Sequence, residues 1–269
     1  MKDIRDDIFK EIIHKEYSAK IVANDKGIIA GCTVARQEAE QLGLNIIHWQ
    51  KDGTPVTAGD KIASFTGTPR QIAMAEEVLI GHMAKPSGIA TAAKKFVDKS
   101  GGQTNIVSGS WKKMPFRMKD IIRNAVSTGG AAVRISDAPF IYLDKNYIKM
   151  LGGISGCLRA TEHLRSRKRV VQIHGHFGSI SSEACEAAES GSDIIFIDTG
   201  RIDDAIDVIQ VLKEKNLRQQ VQIAFAGGIR LQDIDRLKGL DIDFLDVGRS
   251  IVDAPLLDMR IEVDPISHY

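Results

Sequence analysis

The feature that most constrains this chain is a series of short β-branched runs in its second half, separated by amphipathic helical stretches. The runs occupy residues 105–107, 140–143, 170–173, 194–197, 221–224 and 244–247. The last four begin roughly 23 to 27 residues apart, the spacing of strand–helix units in a parallel sheet. Six or seven such strands predict an incomplete parallel β/α barrel.

The first part of the chain has a mixed pattern that predicts an N-terminal α+β sandwich domain. We therefore expect an α/β protein with this domain over residues 1–103, a barrel domain over 104–257, and a closing strand, 258–264, that returns to the first domain. The predicted strands of the first domain are 19–23, 28–31, 46–49 and 61–65, and its predicted helices are 2–15, 33–43, 69–84 and 87–99.

Composition excludes several classes of protein. The 269 residues are 43% hydrophobic and 26% charged, as in globular proteins, and no apolar run reaches the length of a membrane span. The net charge of +1 argues against a general binder of nucleic acid or membrane surfaces. The three widely spaced cysteines exclude a disulfide framework and a cysteine zinc site, and they fit a reducing cytoplasm. An N-terminal signal segment is not expected, because the charged first residues precede no apolar core.

Two neighbouring strand ends predict a phosphate site. Ala226, Gly227 and Gly228 follow one strand and precede a predicted helix over 231–238, and Gly248 with Arg249 follows the next strand. Glycine lets backbone N–H groups approach phosphate oxygens at such positions in β/α barrels. The alternative interpretation is two tight turns without a ligand.

Asp198 and His174 also follow apolar strands. The Asp198 carboxylate would face the barrel mouth and hold Mg²⁺ on a polyphosphate, or alternatively cap the next helix. His174 precedes Gly175-His176 and is either an acid/base or ligand-binding group or a solvated loop residue. Zinc is not expected, because further ligands at a recognisable spacing are missing.

Cations gather at the predicted barrel mouth. Trp111, Lys112 and Lys113 belong to a basic segment after the first barrel strand, and Arg134 and Lys145 follow later apolar runs. This group suits an anionic substrate, although a solvated basic loop is the alternative for the segment itself. Two interpretations remain open: an enzyme that uses a phosphorylated anionic substrate with Mg²⁺, or a non-catalytic barrel that binds a phosphorylated ligand.

Motifs along nearly the whole chain resemble those of the quinolinate phosphoribosyltransferases, also called nicotinate-nucleotide pyrophosphorylases (carboxylating), which are type II phosphoribosyltransferases. The first-domain stretches that carry the resemblance are Gly27-Ile28-Ile29-Ala30-Gly31, Gly59-Asp60-Lys61-Ile62-Ala63, Gly67-Thr68-Pro69-Arg70 and Ser87-Gly88-Ile89-Ala90-Thr91. The second-domain stretches are Lys112 with Pro115, Thr128-Gly129-Gly130, Lys145-Asn146, Gly152-Gly153-Ile154, Ile197-Asp198, Ala226-Gly227-Gly228-Ile229 and Val247-Gly248.

The resemblance implies a homodimer in which both subunits build each active site. It implies that quinolinate and phosphoribosyl pyrophosphate react with Mg²⁺ to give nicotinate mononucleotide, CO₂ and pyrophosphate. Lys112 would contact substrate and leaving groups, Arg134 a carboxylate or phosphate, and Asp198 the metal or ribose. The implied cradle for the 5′-phosphate is Ala226, Gly227, Gly228, Gly248 and Arg249.

The substrate side departs from the family pattern. Glu77 stands where the family has an arginine that binds the substrate dicarboxylate in the partner's site. Trp111, Val133 and Asp144 replace further basic positions, and His174 aligns with a metal-side glutamate. Three hypotheses follow. In the first, the chain uses quinolinate, with Lys113, Arg117 and Lys145 as replacement cations. In the second, it uses another nitrogen heterocycle, which Trp111 stacks on and Glu77 contacts. In the third, it is a catalytically silent nucleotide-binding or partner-binding member.

Overall fold

The computed structural model describes residues 3–164 and 166–264, which form two compact units. The first unit contains the chain up to Lys94, Met114–Gly130, and the chain from Asp253 onward. The second unit contains Lys95–Lys113 and Ala131–Val252. The chain therefore passes from one unit to the other four times.

The first unit combines an antiparallel sheet with helices. Its helices are α1 (Ile4–Ile8), α2 (Cys32–Gln41), most of α3 (Pro69–Ser100), the 3₁₀ helix Phe116–Met118 and α4 (Lys119–Thr128). Its strands are β1 (Tyr17–Ala23), β2 (Gly27–Ile28), β3 (Asn45–Trp49), β4 (Pro55–Val56), β5 (Lys61–Gly67) and β12 (Met259–Val263). The main sheet has the order β12-β1-β5-β3, and β2 pairs separately with β4.

The closing strand β12 completes this sheet. It runs antiparallel to β1, with Ile261 opposite Ile21 and Met259 opposite Ala23. The alternating residues of β1 that face inward are fully buried in a core that also takes Leu257 and Met259 from the end of the chain. A closing strand over 258–264 that returns to this unit is what the sequence predicts.

Helix α3 is one continuous helix, where the sequence analysis predicted two. Pro86 lies inside it and cannot donate to the carbonyl of His82, four residues earlier. That carbonyl lies against Gly31, where a Cβ atom would be only 2.0 Å from it. The buried Ser87 hydroxyl donates to the Ala30 carbonyl and accepts from the Ala30 N–H. Packing of the helix on this strand end therefore carries α3 past the proline.

Two other helices are shorter in the structure than the sequence predicts. The predicted helix over 2–15 is helical only at Ile4–Ile8 and continues as turns, and its residue 2 lies outside the described residues. Its apolar residues Ile4 and Ile8 are mostly exposed, so little packing supports a longer helix. The predicted helix over 231–238 is a 3₁₀ turn followed by the single turn α9 (Ile234–Leu237).

The second unit is an open parallel barrel. Its strands are β6 (Asn105–Val107), β7 (Phe140–Leu143), β8 (Lys168–Ile173), β9 (Ile194–Asp198), β10 (Gln222–Ala226) and β11 (Phe244–Asp246). It contains the end of α3 and the whole of α9. Its other α-helices are α5 (Lys145–Met150), α6 (Ile154–Ala160), α7 (Ile180–Glu189), α8 (Ile202–Glu214) and α10 (Arg249–Val252). Further 3₁₀ helices are Ser110–Lys113, Arg218–Gln220 and Leu231–Asp233.

The order β6-β11-β10-β9-β8-β7 leaves β6 and β7 as edges in the described residues. A single parallel bridge, between Val107 and Ala132, continues the ladder beyond β6. The inward-facing side chains Val170, Ile194, Phe196 and Ala224 form the barrel interior. Together with the antiparallel sheet of the first unit, this confirms the predicted fold class, including the incomplete barrel. Within the described part of the chain, every helix is too short or too polar to cross a membrane.

Candidate active site

The largest group of predicted site residues lines a cavity of about 550 Å³ in the second unit, where the barrel is open between β6 and β7. Trp111, Lys112, Arg134, Tyr142 and Asp246 are among its lining residues. Because β6 and β7 do not pair, side chains that another strand would cover face this cavity instead. One part of it, at Gly109, Lys112 and Asp246, lies at the carboxyl ends of β6 and β11, where parallel β/α barrels carry their chemistry.

A 3₁₀ helix, Ser110–Lys113, positions Lys112 and Trp111. The Lys112 ammonium lies 5.1 Å from the centre of the Tyr142 ring, a cation–π distance. The Trp111 indole N–H donates to the Val133 carbonyl at 2.9 Å, which fixes the indole as a wall of the cavity. Val133 therefore contributes its backbone to the position of Trp111 as well as lining the cavity.

The other predicted cations are spread more widely. Arg134 lines the cavity and is exposed, and it makes no ion pair within residues 3–164 and 166–264. Lys113 is exposed beside Lys112, and burial raises the pKa of Asp246 against the opposing effect of these two charges. Lys145 begins α5 and lies outside the cavity lining. Asp144 caps α5 by accepting from the N–H groups of Asn146 and Tyr147, so this departure from the family pattern has a structural role.

Asp198 is the last residue of β9 and points to the barrel mouth. Gln172 on β8 donates to its carboxylate at 2.7 Å and holds it in place. The N-cap of the following helix α8 is Arg201, so the alternative interpretation of Asp198 as a helix cap is wrong. Gln172 was missed in the sequence analysis, although its alternation with buried Val171 and Ile173 is the signal that places it inward.

His174 lies in a loop that is built around one buried carboxylate. Glu183 of α7 accepts from the backbone N–H groups of His174, Gly175 and Phe177 at 2.6–3.0 Å. The His174 ring stacks on His176, with centroids 5.0 Å apart. Its Nε2 is buried without a hydrogen-bond partner in the described residues. The loop therefore orders His174 through its backbone, and it is Gln172, not His174, that contacts Asp198.

Asp246 is a second carboxylate that the sequence analysis missed. It ends β11 and pairs in register with Ala226, just as Asp198 does from the other side. Its Oδ1 accepts from the Gly109 N–H at 3.1 Å. Burial raises the pKa of the Asp246 carboxyl, against the opposing effects of that hydrogen bond and of Lys112. The signal was available, since Asp246 follows an apolar strand in the same way as Asp198.

The phenol of Tyr142 interacts electrostatically with the carboxylates of Asp198 and Asp246. Burial raises the pKa of Tyr142 above its usual range, and the carboxylates of Asp198 and Asp246 add to this effect. The ring meets Phe196 edge to face at 5.3 Å. Tyr142 is thus a neutral hydroxyl at physiological pH, held beside two carboxylates and one ammonium group.

The predicted phosphate cradle divides into two parts. Gly227 and Gly228 line a cavity of about 320 Å³ together with Gly200 and Arg201. Gly227 (φ +114°) packs against Gly200, and a Cβ atom there would lie 2.2 Å from the Gly200 nitrogen. At Gly228 (φ +78°) a Cβ atom would meet nothing within 4 Å, so this position of the loop faces open space.

Gly248 and Arg249 lie outside the lining of that cavity. Gly248 is required by packing, because a Cβ atom would lie 2.5 Å from the Ser110 hydroxyl. Arg249 begins the short helix α10 and is exposed. The Ser250 hydroxyl donates to the Ile229 carbonyl at 2.7 Å and ties this turn to the loop that carries Gly227 and Gly228.

Glu77 lies on α3 in the first unit. Its exposed carboxylate accepts from the Arg5 guanidinium at 2.5 Å, and this contact raises the pKa of Arg5. Arg5 also pairs with Asp3. Within one chain, the acidic residue at this family position is therefore balanced by a cation from α1.

Comparisons with known proteins cover both units. Residues 3–87 match the N-terminal domain of quinolinate phosphoribosyl transferase, and residues 89–262 match its C-terminal domain. A probable nicotinate-nucleotide pyrophosphorylase (carboxylating) of Archaeoglobus fulgidus is 28% identical over 93% of this chain and 95% of its own length. The human nicotinate-nucleotide pyrophosphorylase (carboxylating) is 26% identical over 91% of this chain and 82% of its own.

Solved structures show the same fold. NadC from Streptococcus pyogenes superposes with a TM-score of 0.83 at 22% identity, over 98% of this chain and 91% of that one. Nicotinate-nucleotide pyrophosphorylase from Pyrococcus furiosus also gives 0.83, at 19% identity over 98% and 75% of the two chains. With family models that together cover nearly its whole length, the chain belongs to the quinolinate phosphoribosyl transferase family.

Proposed function

We propose that the protein transfers a phosphoribosyl group from phosphoribosyl pyrophosphate to the nitrogen of a heterocycle, with quinolinate as the first acceptor to test. The register of two parallel strands carries the proposal. Asp198 and Ala226 are direct neighbours, so a carboxylate lies beside the strand end that opens the loop of Gly227 and Gly228. A sugar phosphate uses both features, N–H groups for the phosphate and a carboxylate for the ribose or its metal.

The reaction requires little from the protein beyond holding the two substrates in position and stabilising the charge of the leaving group. A ring nitrogen bonds to C1 of the ribose while the bond from C1 to the pyrophosphate oxygen breaks, and pyrophosphate leaves with the electron pair. Lys112 stabilises the charge that develops on the leaving group, and Arg134 binds a carboxylate or phosphate. For quinolinate, the family resemblance adds loss of CO₂, which gives nicotinate mononucleotide.

Magnesium is part of the proposal. Asp198, oriented by Gln172, offers a carboxylate oxygen, and Mg²⁺ is commonly held by one or two carboxylates together with substrate phosphates. Residues 3–164 and 166–264 contain no cluster of three His, Cys, Asp or Glu side chains arranged for a metal, so substrate oxygens would supply the other ligands. When bound, the ion would neutralise charge on the pyrophosphate.

A homodimer with shared active sites is the proposed assembly, and the cytoplasm the proposed location. Cys32, Cys157 and Cys185 are buried free thiols, which suits a reducing compartment. In the dimer, Glu77 would face the partner's acceptor, as the family position implies. Light scattering should give twice the chain mass of 29.5 kDa. A single-chain mass would contradict the dimer.

A second acceptor class is favoured by the lining of the cavity. Trp111 and Val133 occupy positions where the family has cations, and Asp246 adds a carboxylate. Fewer positive charges weaken the attraction for a ring with two carboxylates. The second candidate function is therefore phosphoribosyl transfer to another nitrogen heterocycle.

The test is product formation from quinolinate, phosphoribosyl pyrophosphate and Mg²⁺, followed by mass spectrometry. Nicotinate mononucleotide at an ordinary enzymatic rate would establish quinolinate as the acceptor. Binding of phosphoribosyl pyrophosphate without this product would point to the second candidate. Failure to bind phosphoribosyl pyrophosphate would refute phosphoribosyl transfer itself.

A variant of the cradle provides the matched control. Gly228→Asp puts a negative charge where the phosphate is proposed to bind, and Asp tolerates positive φ better than most residues. We expect binding of phosphoribosyl pyrophosphate to fall at least about tenfold with little change in Tm. Unchanged binding by this variant would exclude the loop as the phosphate site.

A further inference from the structure

Asp246 presents one unused carboxylate oxygen to the cavity. Its Oδ1 accepts from the Gly109 N–H, while Oδ2 has no hydrogen-bond partner in the described residues. Oδ2 is not among the buried unpartnered side-chain atoms, and Asp246 lines the cavity, so this oxygen is accessible from it. An acceptor in this position is available to a ligand that donates a hydrogen bond.

The fold itself does not require a carboxylate at this position. An amide oxygen would accept equally from the Gly109 N–H. Burial instead raises the pKa of the Asp246 carboxyl, so the charged form is disfavoured in the folded chain. A charge that is costly to stability and that satisfies only one backbone donor is characteristic of a group kept for binding.

Aromatic side chains line the same cavity as Asp246. Trp111, Tyr142 and Phe196 line the cavity, and the indole N–H of Trp111 is already bonded to Val133. Aromatic faces of this kind stack on planar heterocycles. Lys112 lies over the Tyr142 ring and, like Asp246, lines this cavity.

The net charge of the residues that line the cavity limits how much negative charge a bound ring can carry. The charged lining residues are Lys112, Arg134 and Arg167 against Asp137 and Asp246. Within one chain this leaves one net positive charge with both carboxylates ionised, one fewer than the two negative charges of quinolinate. Arg134 is exposed and has no ion pair in the described part of the chain, so it is one of the lining cations that can meet an anionic group of the ring.

We propose that the acceptor is a planar heterocycle with a ring N–H and at most one anionic group, and that Asp246 selects it by accepting this N–H at Oδ2. The inference rests on the proposed phosphoribosyl transfer and names the acceptor class of the same site. Asp246 thereby acts as a specificity residue, which discriminates against quinolinate because that ring has no N–H donor.

Two matched ligands test the hydrogen bond. Imidazole-4-carboxylate has a ring N–H and one carboxylate, whereas 1-methylimidazole-4-carboxylate keeps the carboxylate and loses the donor. Calorimetry with the full chain, with and without Mg²⁺ and phosphoribosyl pyrophosphate, gives the affinity of each ring and of quinolinate. We expect the wild type to prefer the N–H ring over its methyl analogue by about tenfold or more.

Asp246→Asn is the decisive variant, because it keeps an acceptor for Gly109 and replaces the free oxygen by a donor. We expect it to lose the preference for the N–H ring and to bind quinolinate more tightly than the wild type. Asp137→Asn removes the same charge from an exposed part of the lining. That control should change both imidazoles equally and leave their ratio unaltered.

The outcomes separate this inference from the proposed function. An equal preference in the wild type and Asp246→Asn, a wild-type preference for quinolinate, or no binding of any of these rings would overturn the role of Asp246. Loss of the preference in Asp246→Asn alone would support it. Should phosphoribosyl pyrophosphate fail to bind while that loss is observed, phosphoribosyl transfer would be wrong and the ring site would stand.

Discussion

At the scale of single residues, Asp198 and Asp246 show how neighbouring strands give similar side chains different surroundings. Asp198 accepts from the Gln172 side chain, whereas Asp246 accepts from the Gly109 backbone and faces the cavity with its other oxygen. Both flank Ala226, whose small side chain leaves room between them. The two carboxylates therefore lie at the same end of the barrel but accept hydrogen bonds from different groups.

Asp246→Asn should stabilise the protein at neutral pH by about 1 kcal/mol, an ordinary size for a single substitution. The folded-state pKa lies above the unfolded value, so the native chain binds this proton more tightly. Wild-type stability is therefore lost as pH rises from the unfolded pKa through the folded one. Urea unfolding at pH 7 and near pH 4 measures the gain, which should shrink at the lower pH. A variant less stable than wild type at pH 7 would contradict it.

Glu183→Ala should destabilise the protein by about 3 kcal/mol or more, because three backbone N–H groups lose a buried acceptor. Urea unfolding gives the size of the effect, and hydrogen exchange at His174 and Gly175 reports the loop. Glu189→Ala on the same helix removes only an exposed pair with Lys215 and should cost under about 0.5 kcal/mol. Similar losses for both variants would exclude the special role of Glu183.

At the scale of elements, α3 shows which part of the family motif is structural. Ser87 bonds to the backbone of Ala30, and Thr91 accepts from the Ile28 N–H. Gly88 allows the chain near Pro255 to lie directly on the helix. The stretch from Ser87 to Thr91 therefore joins the helix to a strand end and to the closing segment of the same unit.

Two glycines of α3 should respond oppositely to alanine. In Gly88→Ala the new Cβ atom would lie 1.9 Å from the Pro255 carbonyl oxygen, and we expect a loss of at least about 2 kcal/mol. Gly81→Ala meets nothing within 4 Å and should gain about 0.5–1 kcal/mol from helix propensity. Thermal unfolding of both variants measures the contrast. Equal Tm shifts would mean that the close approach at Gly88 is absent in solution.

At the scale of the whole molecule, each unit is assembled from separate stretches of chain. The first unit needs residues up to Lys94, Met114–Gly130, and the segment from Asp253 onward. Leu257 and Met259 are buried in its core, and β12 covers one side of β1. A contiguous piece of sequence therefore does not contain everything that this unit buries.

Residues 1–94 expressed alone should fail to fold, because β1 would lose its β12 neighbour and the core would lose Leu257 and Met259. Circular dichroism and amide dispersion in NMR spectra measure this. The same polypeptide joined through a Gly/Ser linker to residues 253–264 should recover part of the native signal. A well-dispersed spectrum from residues 1–94 alone would refute the expectation.

The sequence by itself determined the parallel strands, the open barrel, an α+β first domain and the family, since periodicity and strand-end motifs are local properties of the chain. It also indicated Asp198 and the glycine loop, because polar residues after buried strands are visible without coordinates. Only the tertiary structure decided that Gln172 holds Asp198, that Glu183 builds the His174 loop, and that Asp246 shares a cavity with Lys112. These contacts join residues whose approach depends on strand register and burial, which no local pattern encodes.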